Sequence, residues 1–227
     1  MIDSQKEIEL VNASGSGDLL RVRTLIEKGA DVDFKNSDGY TALMRASIFG
    51  NIEVLQYLLG SGGNTEIKDH NGFTALMLAA NKGHIEIVKA LVKAKAVINA
   101  VNKDGWSVLM LASYKGHYEV VKFLLENKAE VNAKDKAGWT PLMFASSNGN
   151  IEVVKILLKY KADVSIRNKQ GLTALMRAAS FGHLEVVKCL VENNSDLSAK
   201  NETDYTSLMI AAKNGHKEVV KYLESKT

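Results

Sequence analysis

The 227-residue chain holds 46% hydrophobic and 24% charged residues and a single proline, a balance that excludes disordered and fibrous classes and describes a helix-rich protein able to bury a core. Its 29 basic residues stand against 26 acidic ones for a formal net charge of +3, a mixed surface without the concentrated charge of a cationic nucleic-acid-binding domain. The single cysteine, Cys189, excludes an intramolecular disulfide and suits a reducing compartment, where it acts as a small hydrophobe.

The chain opens with a charged stretch, Met1 to Leu10, unlike a signal peptide, and nowhere reaches the ~18 apolar residues that a membrane span needs. The expected location is the cytoplasm or another soluble intracellular compartment, with no membrane partner. From about residue 3 to 35 runs a degenerate unit with Gly17 and Asp18 but without the marks that follow. From residue 36 a strict step of 33 residues takes over: Gly39, Gly72, Gly105, Gly138 and Gly171 form one column, and Gly17, Gly50, Gly83, Gly116, Gly149, Gly182 and Gly215 a second.

Between the two glycine columns stands Thr41-Ala42-Leu43-Met44, echoed at Thr74, Ser107, Thr140, Thr173 and Thr206. Each threonine or serine is a helix cap, Pro141 fits a first turn, and the second-column glycine ends the helix. A second helix follows, with apolar residues three and four apart, as in Ile85, Val88, Leu91 and Val92. Its other face carries a glutamate column (Glu53, Glu86, Glu119, Glu152, Glu185, Glu218), and from Glu86 on each is followed three residues later by a lysine (Lys89, Lys122, Lys155, Lys188, Lys221), a solvated outer surface. Each unit closes in an extended piece such as Ala129 to Ala133 and a turn, which predicts a β-hairpin-like finger.

Two helices and a finger per 33 residues resemble the ankyrin repeat over nearly the whole chain. The resemblance implies an all-α repeat solenoid, a stack of helix-turn-helix units linked by β-hairpin-like fingers. The expected organisation is a single domain, 1–227: an N-terminal cap at 3–35, full repeats at 36–68, 69–101, 102–134, 135–167 and 168–200, and a C-terminal cap at 201–227. A terminal unit lacks one neighbour and tolerates polar substitution. Accordingly Arg21, Asp204 and Glu224 replace an interior valine or isoleucine, a glycine, and a leucine or valine. One departure is systematic: Met44 and its equivalents occupy the position usually held by histidine in ankyrin repeats, which removes a familiar hydrogen-bond network and leaves a thioether that packs into irregular apolar space.

Little in the sequence suggests chemistry. His84, His117, His183 and His216 share a column with Asn51, Asn150 and Asp18. Positions one repeat apart lie about 8–10 Å from each other, too far to share a zinc ion with ligands at ~2 Å, and the interchange with Asn and Asp predicts a cap on the second helix. Catalysis needs unlike groups converging in one pocket, whereas these columns repeat like with like. The expectation is a non-enzyme without cofactor or metal.

The residue between the first glycine and the threonine is Tyr40, Phe73, Trp106, Trp139, Leu172 and Tyr205, a column that holds both tryptophans of the chain. In ankyrin proteins it belongs to the exposed binding surface, and a stripe of such rings marks an interaction site. Tyr114, with Phe49 and Phe181, supports it from the helix ends, and His70, Lys103, Lys136 and Lys169 stand at the finger tips. With Lys35, Lys68, Lys134, Arg167 and Lys200, these bases suit a partner with acidic groups around apolar anchors. The reading is a monomeric, non-catalytic scaffold that binds a partner protein along its concave surface. Two alternatives are single-stranded nucleic-acid binding by basic fingers and stacked aromatics, and an architectural or inhibitory subunit of a larger complex.

Overall fold

A helix leaves its first four N–H groups without intrahelical partners, and here one side chain per repeat answers that need. In the computed structural model, which describes residues 5–226, Met44 N–H donates to Thr41 Oγ1 at 3.2 Å, Met110 N–H to Ser107 Oγ at 3.2 Å and Met176 N–H to Thr173 Oγ1 at 3.2 Å. Thr74, Thr140 and Thr206 cap in the same way. Ser107 N–H in turn donates to Met110 Sδ at 3.3 Å, so the methionine completes a reciprocal cap as well as packing. Pro141 occupies the first turn of its helix, where a missing N–H costs nothing.

Among the described residues there are fourteen helices and no strand. They fall into two units, one up to Lys103 and one from Asp104. The first contains α1 (Gln5–Ser16), α2 (Leu19–Glu27), α3 (Ala42–Phe49), α4 (Ile52–Gly60), α5 (Ala75–Lys82) and α6 (Ile85–Lys93). Here α3 packs between α1 and α5, and α4 between α2 and α6. The second contains α7 (Val108–Lys115), α8 (Tyr118–Glu126), α9 (Pro141–Ser147), α10 (Ile151–Lys159), α11 (Ala174–Ser180), α12 (Leu184–Glu192), α13 (Ser207–Lys213) and α14 (Lys217–Glu224). The odd-numbered helices again stack on one another, and so do the even-numbered ones.

Both cores follow from the repeat. Leu43 and Leu76 in the first unit, and Leu109, Leu142 and Leu175 in the second, are shut off from water, as are Val88, Val121, Val154 and Val187 from the second helices. Alanines such as Ala46, Ala79, Ala112, Ala145 and Ala178 are fully buried and let neighbouring first helices approach closely. Met44, Met77, Met110, Met143 and Met176 are buried in the same layers, whereas Met209 is 49% exposed. Arg21 of the first unit forms an ion pair with Glu9 of α1, so this polar replacement has a partner. The glutamate and lysine columns pair on the outer face, with Lys89, Lys155 and Lys188 each 2.8 Å from the glutamate three residues earlier. These exposed pairs are screened by solvent and contribute little to stability.

The fingers are closed turns rather than paired strands. In five of them an Asp or Asn carbonyl accepts the N–H three residues on, a glycine in four and Asp204 in the last, and its side chain accepts two more N–H groups. Asp69 Oδ1 takes Asn71 N–H and Phe73 N–H, both at 2.8 Å, and Asp69 N–H donates to the Phe73 carbonyl at 2.9 Å. Asn36, Asp135, Asn168 and Asn201 do the same. Neighbouring fingers are joined through the main chain: Lys103 N–H donates to the Asn71 carbonyl at 3.0 Å, Lys136 N–H to Asp104 at 3.1 Å and Lys169 N–H to Ala137 at 3.0 Å. This backbone link ties the fingers where no histidine network exists. It also explains Gly72, whose φ of 85° and whose approach to Lys103, 2.8 Å from where a Cβ would stand, leave no room for a side chain.

The histidine and asparagine column corrects one expectation. Asp18 does cap α2, accepting Arg21 N–H at 2.9 Å, but Asn51, His84, Asn150, His183 and His216 make no side-chain cap. They reach back to the preceding repeat instead. Asn51 Nδ2 donates to the Ser14 and Gly15 carbonyls at 2.9 Å, Asn150 Nδ2 to Ser113 at 3.0 Å, and His183 Nε2 lies 3.0 Å from the Ser147 carbonyl. A carbonyl can only accept, so the imidazole proton of His183 sits on Nε2. The acceptors are last-turn carbonyls, which a helix leaves unsatisfied, and the chain must cross a second-column glycine to reach them. At Gly149, with φ of 70°, a Cβ would stand 2.8 Å from His183 Nδ1.

Replacing Gly149 by Ala is therefore expected to cost about 2 kcal/mol or more in chemical denaturation, the left-handed backbone accounting for about half. In a His183→Ala background the cost should fall to about 1 kcal/mol, because no ring remains to be displaced. Thr173→Ala should cost about 1 kcal/mol through loss of the cap on α11.

Candidate functional site

Tyr40, Phe73, Trp106, Trp139, Leu172 and Tyr205 share one environment: each sits at the base of a finger and each is half-buried. The finger-tip residues His70, Lys103, Lys136 and Lys169 are exposed, while the main chain of the three lysines is held by the bonds between fingers.

In the first unit no ring stacks on Tyr40 or Phe73 among the described residues. Phe49, 51% exposed, lies under the Arg45 guanidinium at 4.9 Å. Lys35 Nζ donates to the Lys68 carbonyl at 2.8 Å and Lys68 Nζ to Val101 at 3.0 Å, so these two bases serve the turns and are less available to a partner than the finger tips.

In the second unit the rings converge. Trp106 lies 4.3 Å from Phe144 and 5.7 Å, edge to face, from Tyr114; Trp139 stacks on Phe144 at 5.0 Å; Tyr114 meets Phe144 at 88°. Further along, the Arg177 guanidinium lies 4.8 Å over both Trp139 and Phe181, and Phe181 stacks on His183 at 6.1 Å. These side chains, with Ser147 and Asn148, line an open groove of about 540 Å³ along α7, α9 and α11. Phe144 is 6% exposed and forms the floor, while Tyr114 and Phe181, at 38% and 50%, form the walls. Asn148 Nδ2 donates to the Tyr114 carbonyl at 3.1 Å and fixes the rim.

Leu172 and Tyr205 lie outside that cluster. They border a smaller cavity of about 230 Å³ shared with Ile210 and Lys213, where Lys213 Nζ stands 4.8 Å over the Tyr205 ring. Arg167 is exposed, but its guanidinium is engaged by the Gly171 and Lys200 carbonyls.

The residues that complete the groove belong to a second column: Arg45, Leu78, Leu111, Phe144, Arg177 and Ile210. Its signal in the sequence is variability between two constant neighbours, the buried methionine before it and a small residue after it. Finger-base and helix columns interlock one repeat apart, Trp106 against Phe144 and Trp139 against Arg177.

A larger cavity, about 590 Å³, lies between α4 and α6 beside Ala90, the small member of a column that elsewhere holds Tyr57, Phe123, Ile156 and Cys189. It is lined by the solvated Glu86 and Lys89 and by no ring, in contrast to the aromatic groove. Among the described residues no three His, Cys, Asp or Glu side chains converge on a common point. Burial pushes the Cys189 thiol up, away from the thiolate that nucleophilic chemistry requires. No described helix is long and apolar enough to cross a membrane.

Comparison with known proteins agrees with this architecture. No curated protein matches the chain, but the family model for ankyrin repeats (3 copies) matches residues 10–102, 53–135, 95–168 and 142–227. These overlapping matches leave no repeat outside the pattern, and the chain belongs to the ankyrin-repeat family.

Proposed function

We propose that the chain is a non-catalytic scaffold that holds a partner protein on the face formed by its fingers and first helices, with Trp106 and Trp139 as the principal contacts. Ankyrin repeats are generally protein–protein interaction modules, and the observation that carries the reading here is the aromatic groove of the second unit. Trp106, Tyr114 and Trp139 stand there part-exposed over the buried Phe144, with Arg177 beside them. Half-exposed tryptophan and tyrosine bring large contact area at small conformational cost, which is why they dominate interface hot spots. Tyr40, Phe73, Leu172 and Tyr205 extend the contact set, and His70, Lys103, Lys136 and Lys169 add positive charge at its edge.

The single-stranded nucleic-acid alternative loses support from the same geometry. Base stacking needs an open ring face, but Trp106 and Trp139 both lie against Phe144, and Arg177 occupies Trp139 as well.

Affinity capture from a soluble lysate of the source cells, with retained proteins identified by mass spectrometry, should yield a protein that the Trp106→Ala, Trp139→Ala double variant no longer holds. With that protein purified, the double variant should bind at least ~2 kcal/mol more weakly at unchanged far-ultraviolet circular dichroism. Equal affinity would move the contact to another face. A single-stranded oligonucleotide should show no binding even at low salt; affinity that falls steeply with ionic strength would favour the nucleic-acid reading instead.

A further inference from the structure

The groove of the second unit holds one strong charge that no carboxylate among the described residues pairs with. Arg177 rises from α11 with its guanidinium carbon 4.8 Å from the centroids of both Trp139 and Phe181, and its Nε donates to Ser147 Oγ at 3.0 Å. None of the ion pairs among the described residues involves it, and the groove lining contains no Asp or Glu. Two rings and one hydroxyl therefore hold the guanidinium in place, while among the described residues no hydrogen bond engages its Nη groups. Burial lowers its pKa from the ordinary arginine value, yet an arginine keeps its proton at any physiological pH. The charge is thus partly desolvated without a counter-ion, a state that an incoming anion relieves.

The geometry around it is selective. A guanidinium held flat offers two parallel N–H donors that match the two oxygens of a carboxylate, which an ammonium does not. Beside it, Trp106, Phe144 and Trp139 form an apolar surface in a groove of about 540 Å³, within the usual range of ligand pockets. Lys136 and Lys169 stand exposed on the fingers of the same unit and add long-range attraction for acidic chains. Arg45 makes a similar stack on Phe49, but its Nε is buried without a partner and no tryptophan stands beside it.

We propose that Arg177 is a carboxylate receptor, and that the groove takes an extended peptide segment in which an Asp or Glu side chain pairs with Arg177 while an adjacent bulky apolar residue rests on Trp106, Phe144 and Trp139. This rests on the protein-binding reading and gives the partner its chemistry.

The probe is a phage-displayed library of random peptides about twelve residues long, enough to span about 40 Å when extended, selected against the intact chain. Selected peptides should carry an acidic residue next to an aromatic or branched apolar one. Because both tryptophans of the chain line the groove, their fluorescence should change as such a peptide is titrated in. Arg177→Gln should weaken binding at least about tenfold, the magnitude of one charge-assisted bond, and Arg177→Lys should restore only part of it. Exchanging the peptide's Asp for Asn should cost as much on the unaltered protein, with no further loss when both changes are combined. Peptides that need Trp106 and Trp139 but show no acidic preference, or bind the Arg177→Gln variant equally well, overturn the carboxylate receptor and leave the protein-binding surface standing. Peptides indifferent to the Trp106→Ala, Trp139→Ala variant overturn both, as does a library that yields no binder.

Discussion

Within each unit the register between repeats depends on one contact: a side chain at the start of a second helix, Asn51 or His84 in the first unit and Asn150, His183 or His216 in the second, reaching over a left-handed glycine to the last carbonyls of the previous first helix. A helix end with unsatisfied carbonyls is costly to bury, so stacking without this contact would leave polar groups stranded at every junction. His183 and Asn150 satisfy them with different chemistry and the same reach, which is why histidine and asparagine interchange along the column. The glycine is needed twice over, for its backbone conformation and for the space that the incoming side chain fills. With that contact and the backbone link between fingers in place, each repeat needs only its immediate neighbours, as expected of a quasi-one-dimensional stack.

Fixing the register in this way leaves other columns open to change. The cap, the buried leucine and methionine, the alanines and the glycines are constrained by packing or hydrogen bonding in the full repeats, and the terminal unit relaxes this at Asp204 and the exposed Met209. The finger-base residue and the residue after the methionine are not, and these two columns interlock to form the groove. Arg177 and the rings of Trp106 and Trp139 can therefore be placed, moved or lost without disturbing the core. The proposed recognition surface is made of residues that the repeat does not dictate.

That division also explains what was legible beforehand. The glycine and threonine columns specify the helices, caps and repeat step directly, because each reflects a local backbone requirement. The half-buried tryptophans were visible as a column, but their partners were not: Trp106 meets Phe144 across 38 positions of sequence, a contact set by how one repeat rests on the next. The histidine column reads locally as a cap, because Asn, Asp and His cap helices elsewhere, whereas the carbonyl that Asn51, Asn150 or His183 serves lies 36 or 37 residues away. The fingers looked like hairpins because valine and alanine alternate there. In fact the Asp and Asn side chains take the N–H groups that a strand ladder would have used.

The central claim is that the aromatic groove of the second unit is where a partner binds, and the two tryptophans allow it to be observed directly. Nuclear magnetic resonance of the indole N–H groups, recorded as the captured partner is added, separates the outcomes. The account predicts that the Trp106 and Trp139 signals shift together, while main-chain signals of the outer helices α8, α10 and α12 stay in place. Unmoved indole signals beside shifting outer helices would contradict it and place the partner on the opposite face.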